Sequence, residues 1–230
     1  MLFRDILKRL MYGYRASSSS YVDKLRSLGA SIGDDVTIYF PEKTTIDITA
    51  PHLISIGNHV KVTGPITILT RDYSWSVIKG KTGEILGNQK PVSIGNNVFI
   101  GWGATVLCGT TIEDNVIIGA HSVVSGHIPH DTVWGGAPAK CICSLGDYRN
   151  KRLAAQEKEA KTFVRSFRQR YGKDPKPEDI PEYFFLFADA DHLCGKYQSQ
   201  ISLMGTREKS MEILSSPRQY ENFQRFLDTC

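Results

Sequence analysis

Ile94-Gly95-Asn96-Asn97-Val98-Phe99, Ile100-Gly101-Trp102-Gly103-Ala104-Thr105, Val106-Leu107-Cys108-Gly109-Thr110-Thr111, Ile112-Glu113-Asp114-Asn115-Val116-Ile117 and Ile118-Gly119-Ala120-His121-Ser122-Val123 are consecutive hexads, each opened by Ile or Val. The same step reaches Val124. Upstream it runs from Ile32 through Ile38, Thr44, Ala50, Ile56 and Val62 to Ile68. Eleven of these thirteen positions are Ile or Val, which make up 34 of the 230 residues, so chance placement would give about two. A period of six suits neither a helix nor an alternating strand. It fits a solenoid whose triangular coil is built from three short strands, each hexad forming one side and stacking its aliphatic residue inward. Burying a Val or Ile contributes about 1.5–3 kcal/mol. Their restricted χ1 costs little in an extended backbone.

The corners are legible too. Gly33-Asp34-Asp35-Val36, Gly57-Asn58-His59-Val60, Gly95-Asn96-Asn97-Val98 and Glu113-Asp114-Asn115-Val116 recur in phase. Gly, Asn and Asp tolerate the left-handed backbone of a tight corner, so His59 reads as a turn residue and not a ligand. Residues 71–91 break the period with Tyr73, Trp75, Gly80, Gly83 and Gly87, and they predict a projecting loop of functional importance.

Three segments are expected: N-terminal helices over residues 1–29, the β-helix over 30–143, and a helical extension over 144–230. Residues 2–11 are amphipathic at helical spacing. Packing on the protein's own domain is the favoured reading, with contact to a membrane surface as the alternative. Ser17 to Ser20 break and cap a second helix carrying Tyr21, Val22, Leu25 and Leu28, stopped by Gly29. In the extension, Asp147 is expected to cap a helix with Leu153, Ala160, Phe163, Val164 and Phe167 on its apolar face. Tyr183-Phe184-Phe185-Leu186-Phe187 demands burial, and a last helix is expected from Ser216-Pro217.

A net charge of +4 singles out neither nucleic acid nor a small anion as partner. The odd set Cys108, Cys141, Cys143, Cys194 and Cys230 contains no CxxC pair, so free thiols, no metal and a reducing, cytoplasmic compartment are expected. No apolar run reaches the roughly 18 residues of a membrane span.

The hexads beginning at Ile94 and the turn Gly135-Gly136-Ala137-Pro138-Ala139-Lys140 resemble the hexapeptide-repeat acetyltransferases, among them galactoside, maltose, xenobiotic and polysaccharide O-acetyltransferases. The resemblance covers roughly residues 30–143. It implies a mainly β, left-handed parallel β-helix, a homotrimer with sites between subunits, acetyl-CoA as donor, and a sugar or related hydroxyl as acceptor. Nucleic acid is not implied. By the same resemblance, Gly101, Trp102, Gly103 and Ala104, with Ala120 and Ser122, form an exposed segment along the pantetheine arm. Gly136, Ala137 and Pro138 meet the adenine end, and Lys140, with Arg149, Lys151 or Arg152, meets the CoA phosphates. Tyr73 and Trp75 line the acceptor side.

The family's general base is a histidine in a Thr-His-Asp-Tyr-Ser setting. Here the segment is Thr70-Arg71-Asp72-Tyr73-Ser74, and arginine stays protonated in proteins. Three readings are open. Arg71 removes the base and leaves binding intact; Asp72 or another histidine, such as His52 or one from a neighbouring subunit, acts instead; or the chain is a non-catalytic trimeric binding or scaffold protein. His121, His127, His130 and His192 read as surface residues. A zinc-dependent carbonic anhydrase branch of the fold needs three converging histidines, and no such triple occurs at hexad spacing.

Overall fold

The computed structural model describes residues 2–188, 190–191 and 193–230, with the side chains of residues 2–5 outside that description. Among the described residues fifteen short strands form three sheets, parallel except for one terminal pairing. The first face stacks Ser31–Ile32, Ile54–Ile56, Val92–Ile94, Thr111–Ile112 and His127–Ile128. The second stacks Thr37–Ile38, Lys61–Val62, Phe99–Ile100, Ile117–Ile118 and Thr132–Gly135, and is closed by the antiparallel strand Lys140–Ser144. The third stacks Thr45–Ile46, Thr67–Ile68, Thr105–Val106 and Val123–Val124. This is a left-handed parallel β-helix of hexapeptide repeats.

The inward rows follow the aliphatic phase. Ile32, Ile56, Ile94, Ile112 and Ile128 pair along the first face, and Ile38, Val62, Ile100, Ile118 and Trp134 along the second. The step of six puts Thr44 on the third face and Ala50 back on the first; instead Ile46 fills the third row, in register with Ile68, and Ile56 is the next residue of the first. Two short 3-10 turns, Pro41–Lys43 and Pro51–Leu53, lengthen the first coil, and the inward position slips with them. At the first corner Asp35, His59, Asn97, Asn115 and Asp131 all have φ between 53° and 60°, so His59 is a turn residue.

The helix Ser18–Ser27 begins at Ser17 with a capping box and buries Tyr21, Val22 and Leu25 in the solenoid core. Tyr21 Oη donates to the Thr44 carbonyl and accepts from the Ile46 amide. Ahead of it, Leu2–Tyr12 is helical, but Ile6, Leu7, Leu10 and Met11 are 49–79% exposed, so those side chains do not pack on the domain as expected.

The chain divides into two compact units, Met1–Tyr148 and Arg149–Cys230, and the helix Leu145–Tyr171 crosses the boundary. That helix starts two residues before the expected cap: the Ser144 hydroxyl accepts the Asp147 amide and donates to its carboxylate. Ala160 and Val164 are buried, whereas Leu153 and Phe163 are exposed, so the apolar face is narrower than predicted. Phe184, Leu186 and Phe187 are buried with Tyr197, Phe226 and Leu227 in the second unit's own core. The last helix is Phe223–Leu227, capped by Asn222 and not by Ser216. Two further helices, Gly195–Ile201 and Arg207–Leu214, follow within the second unit.

Candidate active site

The interruption of the solenoid is tied at its base. Arg71 bridges Gln89, the Asp72 amide donates to the Asn88 carbonyl (3.2 Å), and the Lys90 amide donates to the Thr70 carbonyl (2.9 Å). Beyond this ladder, Trp75–Thr82 forms a helix, where an irregular loop was expected, and Gly83 ends it at φ 83°.

Asp72 is committed within the loop. Its Oδ1 accepts the Ser74 amide (2.9 Å) and hydroxyl (2.6 Å), and its Oδ2 accepts the Asn88 side-chain amide. The bonds from Ser74, joined by Asn88, hold its carboxyl below the usual carboxylate range. A carboxylate so stabilised is a weak base. Asn88 Oδ1 also faces the Cys108 thiol at 3.9 Å.

Arg71 lies across the Tyr73 ring, its guanidinium carbon 5.1 Å from the centroid, and Tyr73 in turn meets Trp75 at 5.9 Å. Its Nε is 3.9 Å from Asp47 Oδ2, outside hydrogen-bond reach. Asp47 is satisfied by others: the Thr49 amide (3.0 Å) and hydroxyl (2.6 Å), and the buried Thr70 hydroxyl (2.7 Å). Partial burial pushes the Asp47 carboxyl up, but the bonds from Thr49 and Thr70 outweigh it and hold the group at about 2. Asp47, Asn88 and Cys108 were missed by sequence reasoning. Asp47 lies 24 residues before Arg71, and only the stacking of Thr45–Ile46 on Thr67–Ile68 brings the two together.

The corner between the second and third faces carries the other residues expected at the site. Gly101, Ala104 and Ser122, expected on an exposed segment, are buried, and the Ser122 hydroxyl donates to the Gly119 carbonyl (2.7 Å). Gly101 and Gly103 are required by the solenoid itself. A Cβ at Gly101 would lie 2.6 Å from the Ala120 amide nitrogen, and one at Gly103 (φ 76°) 2.4 Å from the His121 ring. Trp102 and Ala120 are exposed, and Trp102 meets Phe40 edge-on at 5.1 Å. The Trp102 carbonyl accepts the His121 amide (2.7 Å), but the amides of Trp102 and Ala120 donate to no group among the described residues. One coil further, Gly136, Ala137, Pro138 and Lys140 are exposed, and the Gly136 carbonyl accepts the Val123 amide.

His52 is exposed in the turn Pro51–Leu53 and bonds none of the loop residues. His127 and His130 both bond Glu113, and His192 lies outside the described residues. Among the described residues no group of His, Cys, Asp and Glu is arranged to hold a metal, and no helix is long and apolar enough to cross a membrane. Arg149, Lys151 and Arg152 fall in the second unit; Arg152 forms a two-point pair with Glu159.

Comparison with known proteins agrees with the repeat. The bacterial transferase hexapeptide (six repeats) family matches residues 91–126. Protein CapG of Staphylococcus aureus is 40% identical over 131 residues, spanning 57% of this chain and 75% of that protein. Galactoside O-acetyltransferase of Escherichia coli K12 is 30% identical over 177 residues, spanning 68% of this chain and 86% of that enzyme. Among solved structures, a hexapeptide-repeat acetyltransferase from Vibrio cholerae is 21% identical, covers 62% of this chain and 89% of its own, and superposes with a TM-score of 0.44.

Proposed function

The chain belongs to the hexapeptide-repeat acetyltransferases, and from that membership we propose that it transfers acetyl from acetyl-CoA to a saccharide hydroxyl. The acceptor oxygen bonds the thioester carbonyl carbon, the carbon–sulfur bond breaks, and the hydroxyl proton ends on the CoA sulfur. We assign the reaction to the β-helix, residues 30–143, working as a homotrimer with the donor between subunits and the acceptor beside the loop at 71–91. All five cysteines are free, which suits a reducing compartment such as the cytoplasm.

The observation that carries this reading is the pair of unpartnered amides at Trp102 and Ala120, one coil apart on one corner. They suit the carbonyls of an extended pantetheine arm, with backbone doing what buried Ala104 and Ser122 side chains cannot. Gly136, Ala137, Pro138 and Lys140 continue the strip toward the adenine and phosphates. The saccharide class is supported by the galactoside specificity named for the Escherichia coli relative.

Arg71 cannot take the hydroxyl proton, and Asp72 is a poor substitute, so turnover is slow; a missing general base typically removes about 10²–10⁴ in rate. The same observation favours one second reading, a trimeric binding protein on this fold without turnover. Calorimetric titration with acetyl-CoA is expected to show saturable binding in the micromolar range. No heat at millimolar concentration overturns the proposal. Arg71→His is expected to raise kcat at saturating acceptor, even where it weakens acceptor affinity, whereas continued inactivity of both this variant and the parent chain across neutral and acidic saccharides selects the second reading.

A further inference from the structure

Arg71 does more than displace a histidine. Its guanidinium is steered from two sides, by the Tyr73 ring at 5.1 Å and by Asp47 at 3.9 Å, yet neither terminal nitrogen meets an acceptor among the described residues. Asp47, at 3.9 Å, and Asp72, next in the chain, are filled by neutral donors: Asp47 by Thr49 and Thr70, Asp72 by Ser74 and Asn88. The ammonium of Lys90, whose charge acts on Asp72, also has no acceptor among the described residues. The mouth of the loop therefore presents an oriented, half-exposed guanidinium fork and a second cation beside two exposed or half-exposed rings, Tyr73 and Trp75.

A guanidinium fork matches a planar carboxylate through two parallel N–H···O bonds, and an aromatic platform beside it suits the apolar face of a sugar ring. We propose that the acceptor carries a carboxylate, as a uronic acid does, and that Arg71 is its receptor. The inference rests on the proposed function for the acceptor's place beside the loop. It explains why arginine stands here: the position orients an acidic sugar at the expense of proton abstraction.

The test is calorimetry on the full-length chain with three probes: a glucuronate-terminated disaccharide, its neutral glucose-terminated counterpart, and the counterpart carrying glucose 6-phosphate. The glucuronate is expected to bind at least about tenfold tighter than the neutral sugar. The difference disappears in Arg71→Gln and is kept in part by Arg71→Lys, which restores the charge without the fork. The preference also fades as pH falls below roughly 4, where the ligand's own carboxylate is protonated. Equal affinity for acidic and neutral probes, no binding of either, or a preference that survives Arg71→Gln overturns the assignment. Tighter binding of the phosphate overturns the choice of carboxylate. Acetyl-CoA titration of the same sample separates the two ideas: uronate binding without acetyl-CoA binding overturns the transferase reading, and the converse overturns this one.

Discussion

Asp47 shows how a residue without a motif becomes central. Three donors from Thr49 and Thr70 converge on its carboxylate, which is only 11% exposed, and they hold it at about 2 against an ordinary 3.8. A folded-state pKa below the unfolded one means stability that is present above the unfolded pKa and lost as pH falls through the folded one. The shift is worth roughly 2 kcal/mol. Asp47→Asn is therefore expected to lower unfolding free energy by about that much at pH 6, with the difference from wild type shrinking steadily below pH 4. Urea denaturation at pH 6 and pH 2.5 checks it; an equal deficit at both values assigns the loss to shape and not to charge.

At the scale of the element, the coil explains both the regularity and its exceptions. Successive inward residues of the first face are 18 positions apart from Ile94 to Ile112, but 24 apart from Ile32 to Ile56, where the two 3-10 turns intervene. The step of six survives that insertion because 24 is also a multiple of six, which is why Thr44 and Ala50 fall in phase although Ile46 and not Thr44 fills the third row. Each coil rests only on its neighbours, so position along the stack sets the cost of a cavity. Ile118→Ala, fully buried between two rungs, is expected to cost about 2–5 kcal/mol. Ile32→Ala, half-buried at the first rung, is expected to cost clearly less, and chemical denaturation of the pair checks the ordering.

Across the whole molecule, two hydrophobic cores share no residue: one fills the solenoid under the helix Ser18–Ser27, the other gathers Ala160, Val164, Phe184, Phe187, Tyr197 and Phe226 in the second unit. Separate cores unfold as separate cooperative units unless strongly coupled. Phe226→Ala is expected to lower one unfolding transition in a calorimetric scan by several degrees, through a loss of about 3–5 kcal/mol, and to leave the solenoid's transition in place. A single transition moved as a whole shows instead that the two cores unfold together.

The amino-acid sequence by itself determined the solenoid, its corners and the interruption, because all three follow from local periodicity: aliphatic residues every sixth place, left-handed turns at Asn, Asp and Gly, and a break where both patterns stop. Arg71 and Asp72 were singled out by a resemblance of one short segment, not by the periodicity. Tertiary structure alone decided what those residues are worth. The partners of Asp72 lie on both sides of the loop, and Asp47 reaches Arg71 only because stacking sets residue 46 beside residue 68. The same stacking turned Ala104 and Ser122 inward and left the Trp102 and Ala120 amides bare. Contacts between coils depend on how many residues each turn inserts, and that count is settled by packing, not by the local pattern.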